Sequence, residues 1–414
     1  MASLLLAVIY LTFISLGLPD SLLGTAWPVM HVELAAPVAA QSLISIIISC
    51  CTIASSLLTA KLVHKLGTGK LTALSVALTA GAILGFSSTN AFWQLCLIAV
   101  PYGLGAGAID SALNNYVALN YGARHMSWLH CCWGVGASVG PLVMGWALAG
   151  PLSWHGGYLG IGAMQAIITA ALFLSLPLWK STDGRAGDGA ANERAAAQAD
   201  PAAPGHTQTE AHPERPLTNR ELLRLPGARA AIGSFGTYCA LEGSIGLWIA
   251  SYLTMARGLD AATAASIVSQ LFLGITIGRL VSGFAAQWLT SENQIRLGQV
   301  LIAGGLIGLV ALNGGVAAGA CTFVAGLGCA PIYPSIVALT PKRFGAKASQ
   351  GLVSLQMACA HAGSMLVPPV FGLVAGAGGA VLIPYMIAAL LVTNTILAEL
   401  AVRKTNAAPG NATR

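Results

Sequence analysis

Gly103-Leu104-Gly105-Ala106-Gly107-Ala108-Ile109-Asp110 returns 223 residues later as Gly326-Leu327-Gly328-Cys329-Ala330-Pro331-Ile332-Tyr333. Two further echoes keep nearly the same offset: Asp20 answers to Glu242 at 222, and Gly140-Pro141 to Val367-Pro368 at 227. Matches that share an offset mark an internal duplication, the pattern of parallel helical repeats that meet around a midplane site. The octets lie inside apolar runs, with no strand before them and no Walker lysine after, so the glycines serve close helix packing and not phosphate binding.

Working outward, the 414 residues are 56% hydrophobic and only 8% charged, with 49 glycines and a mean hydropathy of +0.74. Apolar runs repeatedly exceed the ~20 residues that cross hydrocarbon. Twelve spans are predicted, near 3–30, 41–64, 69–88, 91–120, 124–148, 154–178, 228–255, 262–288, 294–312, 315–339, 346–374 and 379–401. The first reads as a retained helix, because it lacks a basic leader and carries Asp20 beyond a Gly-Leu-Pro break. The fold class is therefore an all-α polytopic membrane protein, twelve transmembrane helices in two pseudo-symmetric six-helix bundles. Residues 181–220 turn abruptly to Ala, Gly, Pro and charge, which predicts a disordered linker. The expected domains are a lobe at 1–180, a linker at 181–225, a second lobe at 226–402 and a tail at 403–414.

Basic residues gather in alternate loops: Lys61, Lys65 and Lys70; Arg124; Arg296; Lys342, Arg343 and Lys347; then the tail. The positive-inside rule makes both termini cytoplasmic, in what we expect to be a bacterial inner membrane. The net charge of +6 then reports topology and contact with lipid headgroups, not nucleic acid. All nine cysteines fall in predicted spans without C-x-x-C or metal-ligand spacing. No metal or organic cofactor is expected, and the chain is expected to work as a monomer.

Asp20, Asp110, Glu242 and Glu399 lie in this oil. Each costs about 2.5 to 3.5 kcal/mol at mid-bilayer, and such groups mark transport pathways by default. Glu399 is near a helix end and is expected to snorkel. No Lys or Arg lies deep in the first half, so Asp20 and Asp110 are expected to lack a cationic partner and to carry protons. Arg279, inside span eight, is placed nearer the cytoplasmic end. Counting about 1.5 Å per residue sets Asn114 level with His130, and Asp110 opposite Gly134.

With those residues in view, the chain resembles the major facilitator superfamily and, within it, the fucose:proton symporters. The resemblance rests on Gly17-Leu18-Pro19-Asp20-Ser21-Leu22-Leu23, Gly-x-Gly-x-Gly-x-x-Asp110 with Asn114, Leu129-His130-x-x-Trp133-Gly134-x-Gly136 through Gly140-Pro141, and Tyr238-x-x-x-Glu242 through Trp248 and Tyr252. It implies proton-coupled sugar uptake by alternating access, with the span-one and span-four acids critical. Two departures stand out. The loop after span two lacks the superfamily's usual aspartate, and span four carries Asp110 with Asn114-Asn115 where fucose permeases tend to have Glu and Asn-Pro.

The expected function is import of a small neutral polyhydroxylated solute, with Asp110, Asp20 and Glu242 as proton-coupling groups and the proton gradient as energy source. Trp133, Trp248, Tyr238, Tyr252 and Tyr333 are candidates to pack on a sugar face, and Asn114, Asn115, Gln270 and Gln356 to bond its hydroxyls. His130 and His361 either join them or act as hydrogen-bonded helix linkers. Trp27, Trp93, Trp154 and Trp179 read as interfacial anchors. The competing reading is a proton-driven exporter of a lipophilic or cationic compound. An enzyme is not expected, since neither His-Glu-x-x-His nor a Ser/His/Asp set at one depth occurs.

Overall fold

The computed structural model describes residues 2–121, 123–196 and 217–407, and among them it is helical with no strand. In the first half α1 (Ala2–Asp20) and α2 (Leu22–Glu33) make one span interrupted at Ser21. After them come α3 (Gln41–Leu66), α4 (Thr68–Phe86), α5 (Phe92–Asn120), α6 (Ala123–Leu148) and α7 (Ser153–Ala196). The second half holds a short α8 (Asn219–Leu222), then α9 (Ala228–Ser251), α10 (Ala261–Ala285), α11 (Ser291–Ala311), α12 (Gly315–Cys329), α13 (Ile332–Gly378) and α14 (Ile383–Asn406). Span ten is split between α12 and the start of α13. Spans ten and eleven are then continuous helix apart from Gly345, whose φ of 76° turns the chain where a side chain would be strained.

Eleven helical stretches among the described residues are long and apolar enough to cross a bilayer. The expected seventh span, α9, is long enough at 24 residues but falls short in apolarity, because Ser234, Thr237, Tyr238, Glu242 and Ser244 interrupt it. The linker departs from expectation. Residues 181–196 continue α7, where alanine at 186, 190, 191, 195 and 196 favours helix. Its end forms α8, started by a capping box in which Thr218 and Glu221 satisfy each other's backbone. Residues 197–216 and 408–414 lie outside the described residues.

The hydrophobic core is divided in two. The buried members of one cluster come from residues 5–179 and those of the other from residues 235–398 with Ala137, against which Val38 and Trp133 of the first half also pack. The duplicated glycines explain the likeness of the halves. Gly103 and Gly107 lie against the Ile48 and Thr52 carbonyls of α3, and Gly105 against that of Ser75 in α4. In the second half Gly326 meets the Leu271 carbonyl of α10, and Gly328 that of Gly298 in α11. Backbone thus touches backbone at equivalent places, which only hydrogen side chains permit.

The halves meet at the end remote from the basic loops. Gly24 sits on the backbone of Gly246 and Leu247, Gln41 donates to the Leu247 carbonyl at 3.1 Å, and Ser269 donates to the Ser138 carbonyl at 2.6 Å. Contacts of α6 glycines with α10 run from Gly145 to Gly134, which faces Thr276. Beyond that, towards the basic loops, Asp110 and Asn115 of α5 and His361 of α13 are exposed. The lobes are closed on one side and parted on the other. In a cysteine-free background, Asn115→Cys should therefore be labelled by an impermeant thiol reagent from the basic-loop side. Thr25→Cys, buried at the seam, should resist the reagent in this state. The reverse pattern would contradict the parted side assigned here.

Candidate functional site

Asp20 ends α1 at the Pro19-Ser21 break, so its side chain leaves the helix where the backbone is interrupted. Both carboxylate oxygens are engaged by neutral donors: Trp133 Nε1 at 2.6 Å and the Tyr102 hydroxyl at 3.2 Å. Asp20 is nonetheless exposed, as expected of a group on the wall of the gap. Asp110, in the middle of α5, is likewise exposed and accepts from Asn114 Nδ2 at 2.8 Å. Neither aspartate has an ion-pair partner within 4.0 Å among the described residues. His361, in α13 of the opposite lobe, is also exposed.

The second lobe corrects several expectations. Glu242 is paired, with Arg279 Nη2 3.7 Å from its Oε1. Arg279 lies near the end of α10 as expected, but its side chain reaches the site, the guanidinium standing 5.3 Å above the Trp133 ring. Sequence reasoning missed it because a position along a helix does not say how far a long side chain reaches. The connected set is Tyr102, Asp20 and Trp133 in one lobe, touching Arg279 and Glu242 in the other. Glu399 does not snorkel free, because Arg296 holds it with two contacts at 2.6 and 2.9 Å.

Gly134 is another correction, for its missing side chain admits Thr276 of α10 across the lobe boundary, not Asp110. Trp248 and Tyr238 are fully buried, the indole bonded to the Pro368 carbonyl at 2.8 Å and the hydroxyl to the Cys329 carbonyl at 2.6 Å. Neither presents a face to solute. Tyr252 is buried beside Arg257, from which its hydroxyl accepts at 3.2 Å. Gln356 is buried and accepts from Thr340 at 2.9 Å, and Gln270 abuts Gly319 within its own lobe. Trp248, Tyr238 and Gln356 thus satisfy buried partners, as such groups usually must. Tyr333 is half-buried against Phe235 and Met357. His130 is half-buried, edge-on to Phe13. Asn115 is exposed. Trp27, Trp154 and Trp179 are core residues and not anchors, whereas Trp93 is exposed.

Trp133→Phe tests the connection directly, since it keeps a ring under Arg279 and deletes the donor to Asp20. Hydrogen bonds to charged groups are worth about 1.5–3 kcal/mol. Transport should fall about 10- to 100-fold without loss of folded protein, and an unchanged rate would show the bond to be idle.

Two helical lobes, parted on one side with acids on the walls between them, define a secondary transporter that works by alternating access, not an enzyme. The chain belongs to the Major Facilitator Superfamily, whose model matches residues 9–322. Solved structures share the fold at low identity. A bacterial homolog to the human lysosomal transporter Spinster, in an inward-facing and occupied conformation, matches at TM-score 0.70 and 12% identity over 97% of both chains. The nucleoside transporter NupG matches at 0.67 and 14%, over 96% of this chain and 98% of that one. The peptide transporter POT matches at 0.71 and 16%, over 97% and 95%. No curated protein sequence matches the chain.

Proposed function

We propose that the protein imports a small neutral polyhydroxylated solute together with protons across a bacterial inner membrane. The basic loops would lie in the cytoplasm, so that the parted side faces inward. One observation carries this reading: Asp110 lies exposed in the gap with a neutral amide as its hydrogen-bond partner. A carboxyl so placed exchanges a proton without first breaking an ion pair. Asp20 is the second coupling group, held by neutral donors that lead through Trp133 to the other lobe.

The test uses purified protein in proteoliposomes with a panel of labelled sugars and polyols. An inside-alkaline gradient should drive one of them above its external concentration, and adding that solute to weakly buffered vesicles should raise the external pH. Solute movement indifferent to the gradient would defeat the coupling, and the absence of movement across the whole panel would defeat the solute class.

A further inference from the structure

Glu242 Oε1 and Arg279 Nη2 are 3.7 Å apart, close enough for attraction and too far for a hydrogen bond. Both side chains are largely buried, 22% and 21% exposed. The guanidinium carries five N–H donors, and among the described residues none of them makes a hydrogen bond. The Trp133 ring 5.3 Å away offers only its π face. The Tyr238 hydroxyl donates to the Cys329 carbonyl at 2.6 Å and also lies within reach of the Glu242 carboxylate. Guanidinium donors left unfilled beside a carboxylate oxygen are costly unless something polar comes to meet them.

We propose that this gap is a hydroxyl seat. One hydroxyl of the solute inserts between the two groups, accepting from Arg279 Nη2 and donating to Glu242 Oε1, and the adjacent hydroxyl takes another arm of the guanidinium fork. The second lobe thereby selects a neutral vicinal diol, and Glu242 serves as a binding group instead of the proton carrier its sequence position suggests. A hydroxyl fits because it is donor and acceptor at once. A carboxylate would meet an arginine already matched by Glu242, in a gap that also holds Asp20 and Asp110. The inference rests on the solute being polyhydroxylated, as proposed above.

The experiment is equilibrium binding to the purified full chain. The probes are the best neutral pyranose or polyol from the transport panel, its complete set of monodeoxy analogues, and the matching uronate. Removing one of two adjacent hydroxyls should weaken binding to wild type about 10- to 100-fold, the range of a hydrogen bond to a charged group. In Glu242→Gln the parent should weaken to the level of the analogue lacking the seated hydroxyl, while that analogue binds as it does to wild type; in Arg279→Gln the parent should weaken further, since both hydroxyls lose a donor. If both variants keep the wild-type ratio of parent to deoxy analogues, or if wild type prefers the uronate, the seat is wrong. In the first case the function proposed above stands untouched. If wild type binds no neutral polyol, it is the proposed function that fails.

Discussion

Asp110→Asn should reduce gradient-driven accumulation to simple equilibration while labelled-for-unlabelled exchange continues. A transmembrane difference of one pH unit is worth about 1.4 kcal/mol per proton, so a one-proton symporter can hold a roughly tenfold solute gradient. Without the titrating group that ratio should fall to about one. The substitution keeps the shape of the side chain and an oxygen for the Asn114 amide to donate to, so the helix and the gap persist. Exchange needs only the lobes to rock with solute bound, which an uncharged residue at 110 permits. A variant that still accumulates solute at the wild-type ratio would remove Asp110 from the coupling.

The second large effect is structural. Gly136→Leu should leave little folded protein, because a Cβ at this position meets the Ile14 carbonyl of α1. The same face repeats the contact twice, with Gly17 against the Trp133 carbonyl and Gly140 against that of Leu18. Overpacking by a few methylenes costs about 1–3 kcal/mol where side chains can yield, and here the obstacle is backbone. A loss beyond ~3 kcal/mol is a large part of a net stability of about 5–15 kcal/mol. Separating α1 from α6 would also pull Asp20 away from Trp133, so any surviving protein should transport poorly. Gly81→Ala is the control: nothing lies within 4 Å of its Cβ, and relief of a glycine inside a helix favours the variant by roughly 0.5–1 kcal/mol. Thermal midpoints from size-exclusion profiles of heated samples decide the matter. A Gly136→Leu midpoint within a few degrees of wild type would contradict the packing described here.

Some of the site was legible because depth along a helix follows from counting residues. Asp20 and Asp110 were recognisable as acids inside apolar helices without a neighbouring cation, and both line the gap. The duplication was legible too, and Gly103, Gly105, Gly326 and Gly328 pack as repeated positions should. Less could be said of the aromatics. Trp248, Tyr238 and Trp133 have similar sequence surroundings, yet the first two point into their own lobe while Trp133 stands between the lobes. Helical phase in an almost wholly apolar segment carries little information, because lipid-facing and core-facing residues look alike.

By itself the sequence determined the helical membrane class, the two related halves and the oddity of acids within apolar helices. All three follow from solvation: backbone amides must be satisfied internally in hydrocarbon, and charge is expensive there. Only the tertiary structure decided that Arg279 meets Glu242 beneath the reach of Trp133, that Gly134 admits Thr276, and on which side the lobes part. These depend on how two bodies of similar composition dock against each other, a matter of side-chain reach and shape that no periodicity along one chain encodes.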